Sequence, residues 1–440
     1  MNRSDWSIMF NKFVRLYRQV ARRATGVLPR RMRFAVFRNM IRCDVAPPDK
    51  LVLKVAETRE ELEDCFSLLH DAYVRVGFMK PDPSGMRATL YHALPTTTTL
   101  LAKYDGRIVG TISLIRESPL GFPMQKIFNI EAIRKAGGNI AEVSALAVHR
   151  RFQAMGGVIL FPLMKFMYEY STKLFDTRHL VIAVNPRHIG FYESILFFKR
   201  LKQNPVEHYD FVNGAPAVGA HVDLKAAPEI YRRYYGNKEP AKNLYRYFID
   251  LHMPNIIFPD KRFYTTNDPV MTPELLDYFF NQRTAVFAGL NDDEIRRFHA
   301  IYDLPAYKTV LPPLPQGGER DTDYPKRHQR FSVVCPAELV IGRGRLQRNY
   351  ALQVVECSMN GFRARSGLAL PLEVEGTARI DLGRTDQSHL RVTILRKARS
   401  DRDTYVLKVE EPDLAWRKFV SALRKASIHS DLDNATRYLE

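Results

Sequence analysis

The sequence predicts an α/β domain with a helical extension, followed by a small C-terminal β-barrel. Three observations predict it. From residue 50 to 225, short apolar or alternating runs alternate with segments of helical periodicity. From 226 to 311 the chain is aromatic-rich with helical spacing. From 324 to 425 it breaks into five or six short strands closed by one helix, PDLAWRKFVSALRKA. The flanks are a basic leader over 1–46, a Pro/Gly-rich linker over 312–323 and a tail over 426–440.

At 440 residues the chain exceeds one ordinary domain, and 45% hydrophobic with 11% aromatic residues is enough for two or three cores. The net charge of +18 is uneven: residues 1–46 hold eleven Lys or Arg against two Asp, half of the excess. Cys43, Cys65, Cys335 and Cys357 are far apart with no CxxC, which argues against a disulfide framework or a zinc site, so no metal is expected. No run of eighteen apolar residues occurs, and the N-terminus lacks a signal peptide's apolar core and cleavage site. A cytoplasmic protein, soluble or peripheral to the membrane, is expected.

In the leader, Trp6, Met9, Phe10, Phe13, Leu16, Tyr17 and Val20 recur at helical spacing among Arg15, Arg18, Arg22 and Arg23, and a second basic segment, PRRMRFAVFRNMIR, follows. This pattern suits an anionic membrane surface. It suits equally a helix docked on the protein's own core, and less well nucleic acid, for which no motif accompanies the charge.

In the α/β region, Leu51 to Ala56 reads as a strand and Thr58 to Val76 as a helix with Leu62, Phe66, Leu69 and Tyr73 inward. Asp105-Gly106 marks a hairpin within LLAKYDGRIVGTISLIRE. Glu142 to Val148 reads as a strand entering a buried sheet. Arg150, Arg151 and Gln153 follow, and Gly156-Gly157 opens the apolar helix VILFPLMKFMYEY. Free N–H groups at a helix start, approached over glycine, make an anion site. An ordinary strand-to-helix turn with surface arginines is the alternative. The strand LVIAVN, the helix PRHIGFYESILFFKRL and strands around EHYDFVN and AVGAHVDL complete the region.

This order resembles the GNAT acyltransferase superfamily. The resemblance implies a fourth strand splayed from the fifth, a pantetheine arm in the gap and a (Q/R)xxGx(G/A) turn on the carrier's phosphates, here RFQAMG or QAMGG within Arg151 to Gly157. It also implies that Tyr192, in NPRHIGFYESILFFKRL, protonates the departing thiolate. More narrowly, ExSxLAV at Glu142 to Val148, with Phe161, Met164, Phe166 and Met167, resembles the N-acyl amino acid synthases, relatives of the autoinducer synthases. These acylate an amino acid's amine from a long-chain acyl carrier protein. Acyl carrier protein or coenzyme A thioester is therefore the implied co-substrate and an amino acid or related amine the implied acceptor.

Aminolysis of a thioester needs a base for the amine, an N–H donor for the oxyanion and an acid or water for the thiolate. Glu142 on a buried strand could be that base, its pKa raised by desolvation, or could pair with a neighbouring arginine. Ser144, on the same strand face, could bond to pantetheine or substrate, or be a satisfied core serine. Leu146 and Val148 offer backbone groups. Arg150 and Arg151 suit phosphate, an acidic carrier protein or plain solvent. His149 and His188 read as surface or packing residues.

The extension carries helix starts at Thr272-Pro273-Glu274 and Asn291-Asp292-Asp293-Glu294, with Leu275, Phe279, Val286 and Phe287 on one face. By the resemblance this face walls an acyl channel; a packing layer is the alternative. The C-terminal barrel resembles a PilZ domain, which binds cyclic di-GMP through RxxxR and (D/N)xSxxG. At those places stand Lys326-Arg327-His328-Gln329-Arg330 and Glu356-Cys357-Ser358-Met359-Asn360-Gly361. Arg330, Ser358 and Gly361 keep the pattern, whereas Lys326 lacks a planar guanidinium and Glu356 is one methylene too long. The resemblance thus leaves two roles open, cyclic di-GMP binding and a degenerate barrel that docks on the enzyme or a partner. The first expectation for the whole chain is a long-chain N-acyltransferase. A non-catalytic membrane sensor and a short-chain coenzyme A-dependent acetyltransferase are the alternatives.

Overall fold

The computed structural model describes residues 29–43, 46–153, 157–259, 271–302, 305–315, 331–342, 344–383, 385–398 and 403–425. The leader's first helix, Gly156, most of the linker, the tail, and Lys326, Arg327 and Arg330 lie outside the described residues.

The first domain is an eight-stranded sheet in the order β1-β2-β3-β4-β5-β8-β6, with β7 also paired to β8. Its strands are β1 (Leu51–Val55), β2 (Thr97–Tyr104), β3 (Arg107–Arg116), β4 (Asn139–Val148), β5 (Thr177–Val184), β6 (Lys199–Arg200), β7 (Val206–Tyr209) and β8 (Ala215–Asp223). All pairs are antiparallel except β4 with β5. The Asp105-Gly106 turn joins β2 to β3 with φ of 53° and 78°, the left-handed pair that a two-residue hairpin requires. β3 is buried along eight consecutive residues because helices cover both sheet faces.

Three further helices are α1 (Arg30–Met40), α2 (Arg59–Arg75) and α3 (Leu160–Lys173). The Thr58 hydroxyl caps α2 by accepting from the Glu61 N–H, and α2 lies on the sheet face that includes Thr111. α3 covers the other face, close enough to β3 that a Cβ at Gly110 would fall 2.8 Å from Ile159. α1 docks on α4 (Ile189–Ile195): Arg30 pairs with Glu193, and Arg38 Nη1 donates to the Ser194 carbonyl at 3.3 Å. The second basic segment of the leader is therefore a docked helix. Its Met32 and Val36 remain exposed.

α4 is shorter than its sequence suggests. Phe197 adopts φ 59° and stacks on Tyr234 at 4.9 Å, which releases Lys199–Arg200 to pair with β8. The strand expected around EHYDFVN likewise ends at Tyr209, where Asp210–Val212 turns and Asn213 takes φ 55°.

The extension begins with α5 (Ala227–Tyr235) and a π-helical turn, Arg246–Asp250. Thr272 and Asn291 cap as expected, the latter in a full capping box that opens α6 (Asp292–Ile301). The first helix of that pair is only Pro273–Asp277 and continues as a π turn, Tyr278–Arg283. None of the described helices is long and apolar enough to cross a membrane.

Six strands close the second domain in the order β10-β11-β14-β13-β12-β9. They are β9 (Phe331–Ile341), β10 (Arg348–Ser358), β11 (Gly361–Ser366), β12 (Glu375–Gly383), β13 (Asp386–Lys397) and β14 (Thr404–Glu411), with α7 (Leu414–Lys425) as a plug. Trp416 of α7 is fully buried, and its indole N–H donates to the Ser358 and Met359 carbonyls, each at 3.2 Å. The two domains have separate cores, and Arg365 of β11 reaches across to Asp176 at 2.5 Å. Trp416→Ala should therefore lower the barrel's stability by about 3–5 kcal/mol. Hydrogen exchange during urea unfolding should show the eight-stranded sheet opening at its original denaturant concentration.

Candidate functional site

The site is built by a strand pair that stops early. β4 and β5 are in parallel register at Asn139↔Thr177, Ile140↔His179, Ala141↔Leu180 and Glu142↔Val181, and no pairing follows. On the other edge of β4, Ser113↔Ser144 and Thr111↔Ala147 leave Ala145 and Leu146 facing Ile112 alone. Ala145 sits at φ 52°, so this is a bulge, which re-aims the side chains beyond it. Val143 and Leu146 both line the cavity on the α3 side, whereas Glu142 is held on the opposite face. The splay expected between the fourth and fifth strands is present.

On the α3 side the split opens into a narrow apolar cavity. Val143 and Leu146 form one wall, Met164 and Met167 of α3 a second, and Tyr231 of α5 with Phe248 of the π turn a third. Lys165, fully buried on α3, fixes that third wall: its ammonium donates to the Phe248 carbonyl at 3.1 Å and pairs with Glu169 at 2.7 Å. The extension thus walls the cavity through residues 227–250. The face expected to do so packs elsewhere, with Phe279 edge-on to Phe66 of α2 at 5.2 Å and Phe287 on Phe280 and Phe298.

Tyr192 lines the same cavity, its ring edge-on to Phe198 at 5.6 Å. Burial pushes its hydroxyl up to about 12, and Tyr73 of α2 adds to the shift. Tyr192 therefore stands where the two faces meet.

Glu142 is buried on the α2 side at 2% exposure. Its carboxylate accepts one hydrogen bond, from the Met124 N–H at 3.0 Å. Desolvation raises its pKa to about 8, and the Met124 bond only partly opposes that. Among the described residues no arginine pairs with it, so the ion-pair reading of Glu142 is replaced by that of an isolated carboxyl poised near neutrality. Around it are Tyr73, Tyr91 and Tyr209, each raised by burial and by the Glu142 charge. Ser144 is half-buried, and its hydroxyl has no protein partner among the described residues.

The turn after β4 is less open than its sequence suggests. Gln153 donates its side-chain amide to the Val148 carbonyl at 2.7 Å, so both groups are engaged within the turn. Arg150 and Arg151 are exposed. Gly157 takes φ 87°, and a Cβ there would fall 2.5 Å from the Phe161 ring, so only glycine fits. α3 itself begins three residues later. His149 packs beside Phe152, away from Glu142's bonding partners.

Residues 64–223 match the family model of the N-acyl amino acid synthase FeeM. With the split sheet, this makes the first domain a GNAT-like acyltransferase fold. The solved structure of FeeM from uncultured soil microbes is similar at 23% identity over 41% of this chain and 93% of that one, with a TM-score of 0.35. The coenzyme A-dependent acyl-homoserine lactone synthase BjaI, with SAM and isopentyl-CoA, is similar at 19% identity over 48% and 95%, with a TM-score of 0.35. A GNAT-family acetyltransferase from Streptococcus pneumoniae is similar at 14% identity over 39% and 98%, with a TM-score of 0.28. No curated protein sequence matches the chain.

Sequence reasoning missed Tyr91 and Tyr209, which join Glu142's surroundings from a short turn and a strand end, and Arg87, which lies against Tyr73 and Phe211. In the barrel, Glu356 pairs with Arg363 at 3.3 Å, and the Ser358 hydroxyl donates to the Gly361 carbonyl at 3.0 Å. Among the described residues no group of three or more His, Cys, Asp or Glu could hold a metal ion.

The raised pKa of Glu142 fixes two signs. The carboxylate form predominates only above about pH 8, so a reaction that used it as base would show kcat/KM rising through that pH, and that limb would be absent in Glu142→Gln. The folded state also binds this proton more tightly than the unfolded chain does. Its stability contribution is full below about pH 4.5 and falls until about pH 8. Glu142→Gln should therefore be the more stable protein at pH 9, by roughly 2–4 kcal/mol in chemical denaturation.

Proposed function

We propose that the chain is an N-acyltransferase that moves a long-chain fatty acyl group from an acyl carrier protein or coenzyme A thioester to the amine of an amino acid. The observation that carries this reading is the join at the β4–β5 split between an apolar cavity and a buried, singly bonded Glu142. The acyl chain lies in the cavity and the pantetheine arm leaves through the split. The phosphates lie toward Gly157, Arg150 and Arg151, where the arginines also suit an acidic carrier protein. Backbone groups from Leu146 to Val148, beside the bulge, face the thioester carbonyl.

The amine nitrogen attacks the thioester carbon, and Glu142 takes up the proton it releases. The tetrahedral intermediate collapses as the C–S bond breaks. Tyr192, fully protonated at working pH, donates a hydrogen bond to the departing sulfur. A thiol near its ordinary pKa of about 8.5 and a carboxyl near 8 are closely matched, so the proton passes on to the sulfur at little cost. Ser144 orients the amine or the pantetheine.

Lipid extracts of cells making the wild-type chain should contain new N-acyl species by mass spectrometry. Glu142→Gln should reduce them about 10²–10⁴-fold. Met164→Trp, which fills the cavity, should shift the product to shorter chains at similar total yield. No new N-acyl species from the wild type would end this reading, and equal product from Glu142→Gln would remove the base.

For the barrel we infer a regulatory module of PilZ type; the Arg365–Asp176 pair supports its docking near the paired end of β4 and β5. Ser358 and Gly361, with Lys326, Arg327 and Arg330, are the positions that cyclic di-GMP would use. Calorimetry with cyclic di-GMP should give heat and a raised melting temperature if they do, and neither if the barrel serves docking alone. The first basic segment of the leader, Trp6 to Arg23, is assigned to an anionic membrane surface on the cytoplasmic side.

A further inference from the structure

The face of the split opposite the acyl cavity holds a cation that the acyl transfer steps do not use. Arg87 lies between α2 and β2 and is 9% exposed. Its Nη2 donates to the Phe211 carbonyl at 2.8 Å, and its guanidinium lies over the Tyr73 ring, 4.2 Å from the centre, and over Phe211 at 5.1 Å. Among the described residues no carboxylate lies within ion-pair distance of it. A buried guanidinium of this kind is costly unless an anion meets it, because a carbonyl and two ring faces replace only part of its hydration.

A second group in the same compartment is also unmatched. The Tyr209 hydroxyl is buried, with the residue 3% exposed, and has no hydrogen-bond partner. Arg87 and Tyr209 meet on Phe211, whose ring lies 5.1 Å from the guanidinium and stacks on Tyr209 at 5.7 Å, and Tyr73 and Tyr209 each feel both the Arg87 and the Glu142 charge. The compartment therefore offers a forked cation and a hydroxyl donor at one side and a carboxyl proton acceptor at the other.

We propose that Arg87 and Tyr209 bind the carboxylate of the amino-acid acceptor and so set the preference for it over simple amines. This rests on the acyltransferase reading above. A carboxylate meets guanidinium through two parallel N–H···O bonds, which fix its plane, and Tyr209 supplies a further O–H donor to the same group. In an α-amino acid the amine stands one carbon from the carboxylate, so holding one end delivers the other toward Glu142 and the split. An amine without a carboxylate leaves Arg87 and Tyr209 buried and unpaired, and a site built to bond a group rejects the analogue lacking it. Arg87 and Tyr209 act here as binding residues, with no part in proton transfer.

The test uses the purified full-length chain with a long-chain acyl-CoA and, separately, the same acyl group on acyl carrier protein. The acceptors are the standard amino acids, their carboxamides and their decarboxylated amines, with products identified by mass spectrometry. The wild type should acylate one or more free amino acids about 10³-fold faster or more than the matching amide or amine. Arg87→Lys and Tyr209→Phe should raise KM for the amino acid about 10-fold or more and shrink the preference for amino acid over amine, with little change in KM for the donor. Equal acylation of amino acids and their decarboxylated amines by the wild type would overturn the inference and leave the acyltransferase reading intact. So would variants that lose activity on every acceptor in the same proportion, the mark of a structural role. No N-acyl product from any acceptor with either donor would overturn both.

Discussion

The parallel ladder between β4 and β5 ends at Glu142 and Val181, and most of the site depends on that ending. Had the pairing continued, Val143 and Leu146 would pack against Ile182 and Val184, and the two faces of the sheet would be sealed from one another. The bulge at Ala145 makes the separation local, because it adds a residue to β4 without breaking its antiparallel pairing to β3. The sheet remains one body, and an opening runs through it.

The two sides of that opening differ in dielectric character. The α3 side is lined by methionines, aliphatics and aromatic rings, and is shaped by the Lys165 clamp on Phe248. The α2 side keeps a carboxyl, a guanidinium and several phenols in a space that water does not freely screen. A carboxyl bonded to one N–H is an unfavourable thing to bury, and so is a guanidinium without an anion. The rest of the domain carries that cost through a sheet covered on both faces. Glu142 has its pKa near neutrality because the fold withholds the partners that would lower it.

Much of this was legible in the chain. Asp105-Gly106 named its hairpin by turn chemistry alone, and the caps at Thr272 and Asn291 were readable from single residues. The barrel followed from alternation and turn spacing. What failed depends on distant partners. α4 ends at Ile195, just before Phe197, because that ring finds Tyr231, Tyr234 and Tyr235, and no local signal forecasts a phenylalanine at positive φ. The apolar face of residues 275–287 looked as fit for a cavity wall as that of residues 231–249, since periodicity says a face is buried but not against what. Arg87 was invisible for the same reason: its contact with Phe211 spans 124 residues. Gln153 matched a phosphate-turn pattern by type, yet its amide is engaged by Val148.

The central claim is that the β4–β5 split leads an acyl chain into the cavity bounded by α3, α5 and the π turn at Arg246–Asp250. A long-chain acyl thioester with a photoreactive group at its tail tests this directly. After irradiation and proteolysis, the label should map to residues 227–250 and to α3, and an unmodified long-chain thioester should compete it away. Labelling concentrated on residues 273–301, or spread over the surface and not competed, would contradict the account.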